Sequence, residues 1–175
     1  MINLQNTENK FALADGLFQS SRLFVGAISV MYLLSKNITA EEIAMIKIIQ
    51  GICFFLFDIP TGIFADLFGR KNSLIASALT GTIGFTFYIF SNSLHYFIIA
   101  EAFCALSICF WSGAFAAYAI DACQLKDSQG RLDRFVHKNQ SLNSIMIAVS
   151  GILGGYLASF NFNYSYFSSL LLLIC

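Results

Sequence analysis

The chain has 175 residues, 57% of them hydrophobic and 11% charged, and its formal net charge is zero. A soluble domain carries about 25% charged residues, so this chain lacks the polar surface that water would demand. The neutral balance supplies no basic field, which excludes nucleic acid as a partner.

A helix needs about 20 mostly apolar residues to cross a bilayer. Such stretches run over 11–34, 43–64, 73–90, 94–119 and 142–160, with the start of a sixth at 164–175. The expected fold is all-α. It is a polytopic bundle of membrane helices with five complete spans and an incomplete sixth, forming one transmembrane half-domain over residues 1–175. The lipid bilayer is its solvent. The first apolar run is longer than a signal-peptide core, so the first helix is expected to stay in the membrane.

Polar punctuation separates the spans. Thr39 precedes Ala40-Glu41-Glu42 and is expected to cap the second helix, with an acidic first turn behind it. Ser91-Asn92-Ser93 and Asn161-Phe162-Asn163 are short links that make their flanking helices antiparallel neighbours. The longest polar segment is 121–140. Lys10, Arg70, Lys71, Lys126, Arg131, Arg134 and Lys138 fall on one side of the membrane, and Lys36 on the other. Positive residues mark the cytoplasmic face, so the N-terminus is expected in the cytoplasm, with the protein in a bacterial inner membrane.

Cys53, Cys104, Cys109, Cys123 and Cys175 share no ligand-like spacing, and His95 and His137 stand apart. These residues point to packing rather than a metal site, and no cofactor is expected. No nucleophile–base pair or phosphate loop is legible, so an enzyme is not expected.

Between the second and third spans stands Asp58-Ile59-Pro60-Thr61-Gly62-Ile63-Phe64-Ala65-Asp66-Leu67-Phe68-Gly69-Arg70-Lys71. It resembles the signature loop of the major facilitator superfamily, G-x-L-A-D-R-x-G-R-K. Gly62, Ala65, Asp66, Gly69, Arg70 and Lys71 are in register, and Leu67 replaces the usual basic residue. The stretch from Ser112-Gly113 to Asp121 is similar to the S-G-x-x-x-A-x-x-x-D ending of a poorly characterised branch of that superfamily. Asp58-Ile59-Pro60-Thr61-Gly62 resembles the E-I-P-T-G entry of the same branch. The resemblance implies a carrier of two six-helix halves working by alternating access, with this chain supplying most of the first half. A missing C-terminal half, a small-molecule substrate and protons are then the implied partners. It also implies a conformational latch in which Arg70 pairs with Asp121 beside Asp66, with Gly62 and Gly69 shaping the loop. The alternative is a membrane protein that uses this half-fold for binding or assembly without transport.

Two superfamily features are missing. Glu101 stands where many proton-coupled drug exporters carry a helix-four arginine. Ser150-Gly151-Ile152-Leu153-Gly154-Gly155 meets the exporter core G-P-x-x-G-G without its proline. Drug export is therefore not implied.

Ionisable residues inside spans are costly and mark pathways or internal pairs. Arg22 in the first span and Glu101 in the fourth are the expected substrate or proton-coupling residues. By rise per residue, Arg22 sits ~18 Å and Glu101 ~10 Å below the outer helix ends, which leaves direct pairing open. Asp15, near the inner end of the first span, is expected to be solvated. Lys47 could snorkel to the interface. Trp111 and Tyr118 are expected to pack, and Gly151 with Gly155 to offer a close-approach face on the fifth helix.

Overall fold

The computed structural model describes the backbone of residues 4–26, 28–124 and 129–174, and the side chains of 13–26, 28–115, 137 and 140–173. Every element among the described residues is helical. The order is α1 (Leu4–Gly26), α2 (Ser29–Ser35), α3 (Ala40–Phe68), α4 (Arg70–Phe90), α5 (Leu94–Gln124), α6 (Gln129–Phe160) and α7 (Phe162–Ile174). Among the described residues, four helices are long and apolar enough to cross a membrane. The interrupted pair Leu13–Gly26 and Ser29–Ser35, counted as one span, makes five.

The expected first span is thus two helices. The interruption follows Gly26, a residue that weakens helix continuation. The Ser29 hydroxyl donates to the Gly26 carbonyl at 3.1 Å, covering a group that the break exposes. Elsewhere the helices outrun the expected spans. At 1.5 Å per residue, the 29 residues of α3 and the 31 of α5 exceed a hydrocarbon core of about 30 Å. The polar 121–140 segment is entered by helix from both sides: α5 ends at Gln124 and α6 begins at Gln129.

The chain divides into two compact units. One comprises residues 1–29 and 125–173, the other 30–124. In the second unit, α5 packs against both α3 and α4. Thr39 caps α3 as expected: its side chain accepts from the Glu42 amide at 3.3 Å, while Glu42 accepts from the Thr39 amide at 2.8 Å. The seam of α4 with α5 is built on small hydroxyls. Ser77 Oγ donates to the Ser107 carbonyl and Ser107 Oγ to the Ser77 carbonyl, both at 2.7 Å. Ser73 Oγ donates to Phe110 O at 2.7 Å. A Cβ at Gly84 would lie 3.0 Å from Ala100 O, so only glycine permits this approach.

The proline-bearing entry to the signature loop is helical. Pro60 removes one backbone donor from α3, and Thr61 Oγ1 donates to Phe57 O and Asp58 O at 2.8 and 3.1 Å. Gly113 of α5 lies against this stretch, since a Cβ on it would sit 3.3 Å from both Thr61 O and Gly62 Cα. The two motifs that carry the resemblance therefore touch through Gly62 and Gly113. A Cβ on Gly62 itself would meet open space. The close approach belongs to Gly113, not to the side-chain position of Gly62.

Gly69 joins α3 to α4 at φ 83° and ψ 155°, a backbone region open to glycine and strained for other residues. Gly69→Ala is expected to lower stability by about 1–3 kcal/mol. Gly62→Ala should stay within about 0.5 kcal/mol. Unfolding of the two variants in mixed micelles checks this contrast, and equal losses would contradict it.

In the first unit, α6 packs on α1. A Cβ on Gly154 would collide with the Phe24 carbonyl group, lying 2.9 Å from its carbon and from Phe24 Cα. Ser165 of α7 donates to the Gly154 carbonyl at 2.9 Å. Gly151 and Gly155, expected to make the close approach, have nothing within 4 Å of a built Cβ. Gly154 is offset from them around the helix, and its face is the one that meets α1.

Candidate functional site

Glu101 is the centre of a buried polar cluster in the second unit. It is 3% exposed, and two helices, α3 and α4, supply its partners. Lys47 of α3 donates to Oε1 and forms an ion pair there. Tyr88 of α4 donates its hydroxyl to the same oxygen at 2.6 Å. Gln50 of α3 donates from Nε2 to Oε2 at 2.6 Å. A buried carboxylate is tolerated only when paired and hydrogen-bonded, and this one has a cation and two neutral donors.

The cluster is held from behind. Tyr88 is 3% exposed, its ring lies 5.5 Å from that of Phe97, and its carbonyl accepts from the Tyr32 hydroxyl at 2.8 Å. Tyr32 meets Phe97 edge-on at 6.2 Å. At the adjoining 91–93 link, Lys36 Nζ donates to Asn92 Oδ1 at 2.6 Å and lies 5.6 Å from the Tyr32 ring centroid. Lys47 differs from the other donors, because its side chain is 40% exposed while that of Glu101 is 4% exposed. It reaches inward from an accessible face.

Lys47 therefore does not simply snorkel outward. The signal was available in the sequence. Lys47 is seven residues past the start of α3 (47 − 40) and Glu101 seven past the start of α5 (101 − 94), so they sit at one depth. Tyr88 lies two residues before the end of α4 at Phe90.

The first unit holds a second buried carboxylate. Asp15 on α1 is 3% exposed and accepts from Asn143 Nδ2 of α6 at 2.6 Å. It is not solvated, because the Gly16 face lets α6 approach: a Cβ there would lie 3.3 Å from Asn143 Oδ1. Arg22 is half-buried on α1 in this unit, whereas every described partner of Glu101 belongs to the other.

In the signature loop, Asp66 is exposed near the end of α3 and Arg70 is half-buried at the start of α4. Asp121 lies on α5, but its side chain is outside the described residues, as is that of Tyr118. Trp111 is buried on α5, as a packing role requires.

The long apolar helices and their internal charge pair define an all-helical integral membrane protein. No family model matches the chain. It is similar to a Bacillus subtilis (strain 168) protein described as "Uncharacterized MFS-type transporter YxaM", with 29% identity over 162 residues. The aligned region covers 93% of this chain and 37% of that relative. The chain thus spans little more than a third of the relative's length.

Proposed function

We propose that this chain is the N-terminal membrane half of a secondary active transporter that moves a small solute by alternating access with proton coupling. The observation that carries the reading is Glu101, an ionisable group buried in the outer part of an apolar helix and held by donors from α3 and α4. Insertion scales put the cost of such a charge near the middle of a span at about 2.5–3.5 kcal/mol. An apolar residue would build a more stable bundle. A carboxylate with a detachable counter-ion is what proton or cation exchange requires.

Arg22 is the second proposed pathway residue. The similarity to an MFS-type transporter supports the same class of activity. The remaining partners are the bilayer and the rest of the carrier. The positive-inside pattern supports a cytoplasmic N-terminus in a bacterial inner membrane.

Asp66, Gly69, Arg70 and Asp121 are proposed as a latch at the cytoplasmic mouth. The packing of α3 on α5 supports it through register. Gly113 meets Gly62, an offset of 51 (113 − 62), which takes Phe68 at the end of α3 to the level of Ala119 (68 + 51). Arg70 lies two residues after Phe68, and Asp121 two residues after Ala119. Arg70 is a forked donor suited to a carboxylate.

Uptake of a solute panel into proteoliposomes carrying the full-length protein tests the reading. At least one solute should accumulate above protein-free liposomes and lose that accumulation when the pH gradient is collapsed. Exchanging the charges in Arg70→Asp with Asp121→Arg should recover part of the rate that either single change removes. A panel with no solute above background would favour a non-transporting role.

A further inference from the structure

We propose that Glu101, Gln50 and Tyr88 form a binding site for the ammonium head of a primary amine, with Lys47 as its resident and displaceable occupant. The proposal deepens the transport reading and rests on it for its place in a transport cycle.

The site is already matched to this chemistry, because the group it holds is itself a primary alkylammonium. Lys47 brings three N–H donors on a flexible four-carbon stem, and its head meets Glu101 Oε1. Of the other two donors, Tyr88 is fixed in place and Gln50 is half-buried. Tyr88 is buried, ring-packed against Phe97 and held through its carbonyl by Tyr32. Gln50 lies one turn along α3 from Lys47 and bonds the opposite carboxylate oxygen at 2.6 Å. Lys47 alone combines a movable stem with substantial exposure, 40% of its side chain.

When Lys47 withdraws toward its exposed side, the carboxylate keeps the hydroxyl and the amide but loses its counter-ion. A proton or another cation must then neutralise it, since an unpaired buried carboxylate is strongly disfavoured, and the amine is the occupant that also restores the lysine's bonding. An incoming R–NH3+ restores one positive charge and the N–H donation, and its alkyl chain can follow the path of the lysine stem. Quaternary ammonium ions lack the N–H donors, and anions would meet a carboxylate. The ligand class is therefore small primary amines.

The test uses propylammonium chloride on the full-length protein in nanodiscs. Sodium chloride and tetramethylammonium chloride at equal concentration are the controls. In Lys47→Ala, propylammonium should raise the thermal midpoint saturably and recover at least half of what the substitution removes, while neither control salt does. The wild type should need about tenfold or more propylammonium for the same fractional response, because a tethered lysine competes at a local concentration in the millimolar range. Lys47→Ala with Glu101→Gln should not respond.

A folded Lys47→Ala that ignores propylammonium overturns the proposal. So does a response that survives Glu101→Gln, or one equal in wild type. Should Lys47→Ala fail to accumulate, its folded yield from cells grown with propylammonium is read instead. A higher yield supports the site, and an unchanged yield overturns it. A protein that passes this test yet moves no solute keeps the amine site and loses the transport reading.

Discussion

Replacing Lys47 with alanine is expected to destabilise the protein more than replacing Glu101 with alanine. The pair is unequal in its surroundings: Glu101 is buried, whereas the Lys47 side chain is 40% exposed. Removing the lysine leaves a buried carboxylate without its counter-ion. Loss of one partner from a buried pair costs about 3–5 kcal/mol. Removing the glutamate leaves an ammonium that can turn outward, and what remains is the lost bonding of Gln50 and Tyr88. That loss is about 1–3 kcal/mol. The double replacement should recover much of the single Lys47 loss, because no charge is left unpaired. Denaturant unfolding in mixed micelles gives all three values. Equal losses for the two single variants would show that the charge asymmetry is not felt.

The second large effect is expected at Gly154. Its missing Cβ faces the backbone of Phe24, and a methyl group there cannot be accommodated by rotating a side chain. Gly154→Ala must push α6 away from α1, and overpacking of this kind costs about 1–3 kcal/mol, occasionally more. The shift would also disturb the 2.6 Å bond from Asn143 to Asp15 on the same pair of helices. Gly155→Ala, one residue on, meets open space and should be neutral or slightly stabilising, because alanine favours the helix. Thermal midpoints of the two variants in one detergent decide the matter. A Gly155→Ala loss matching that of Gly154→Ala would contradict the packing of α6 on α1.

The membrane class and five of the helical runs were legible because lipid imposes a length and an apolar character on each span. The cap at Thr39 was legible because capping chemistry is local. The break after Gly26 was not, since the apolar run continues through it and only the weak signal of one glycine marks the site. The close-approach face of α6 is hidden from the sequence for a related reason. Several glycines crowd one stretch, and only the rotational setting of the helix selects Gly154 over Gly151 and Gly155. Asp15 looked solvated from its nearness to the helix end, because α6 is more than a hundred residues away in sequence. Glu101 was found by its charge in an apolar run, but its partners lie 54, 51 and 13 residues away. Hydrophobic periodicity says nothing about which helices meet, and depth counting alone could have matched Lys47 to Glu101.

The buried carboxylate of Glu101 is proposed to couple transport to protons. Liposomes containing the full-length protein and an internal pH dye measure it directly, with a transported solute applied as the driving gradient. Glu101→Gln should leave a folded, inserted protein in which the solute gradient no longer moves protons. Proton movement at the wild-type rate in Glu101→Gln would contradict this coupling and leave Glu101 as a structural partner of Lys47.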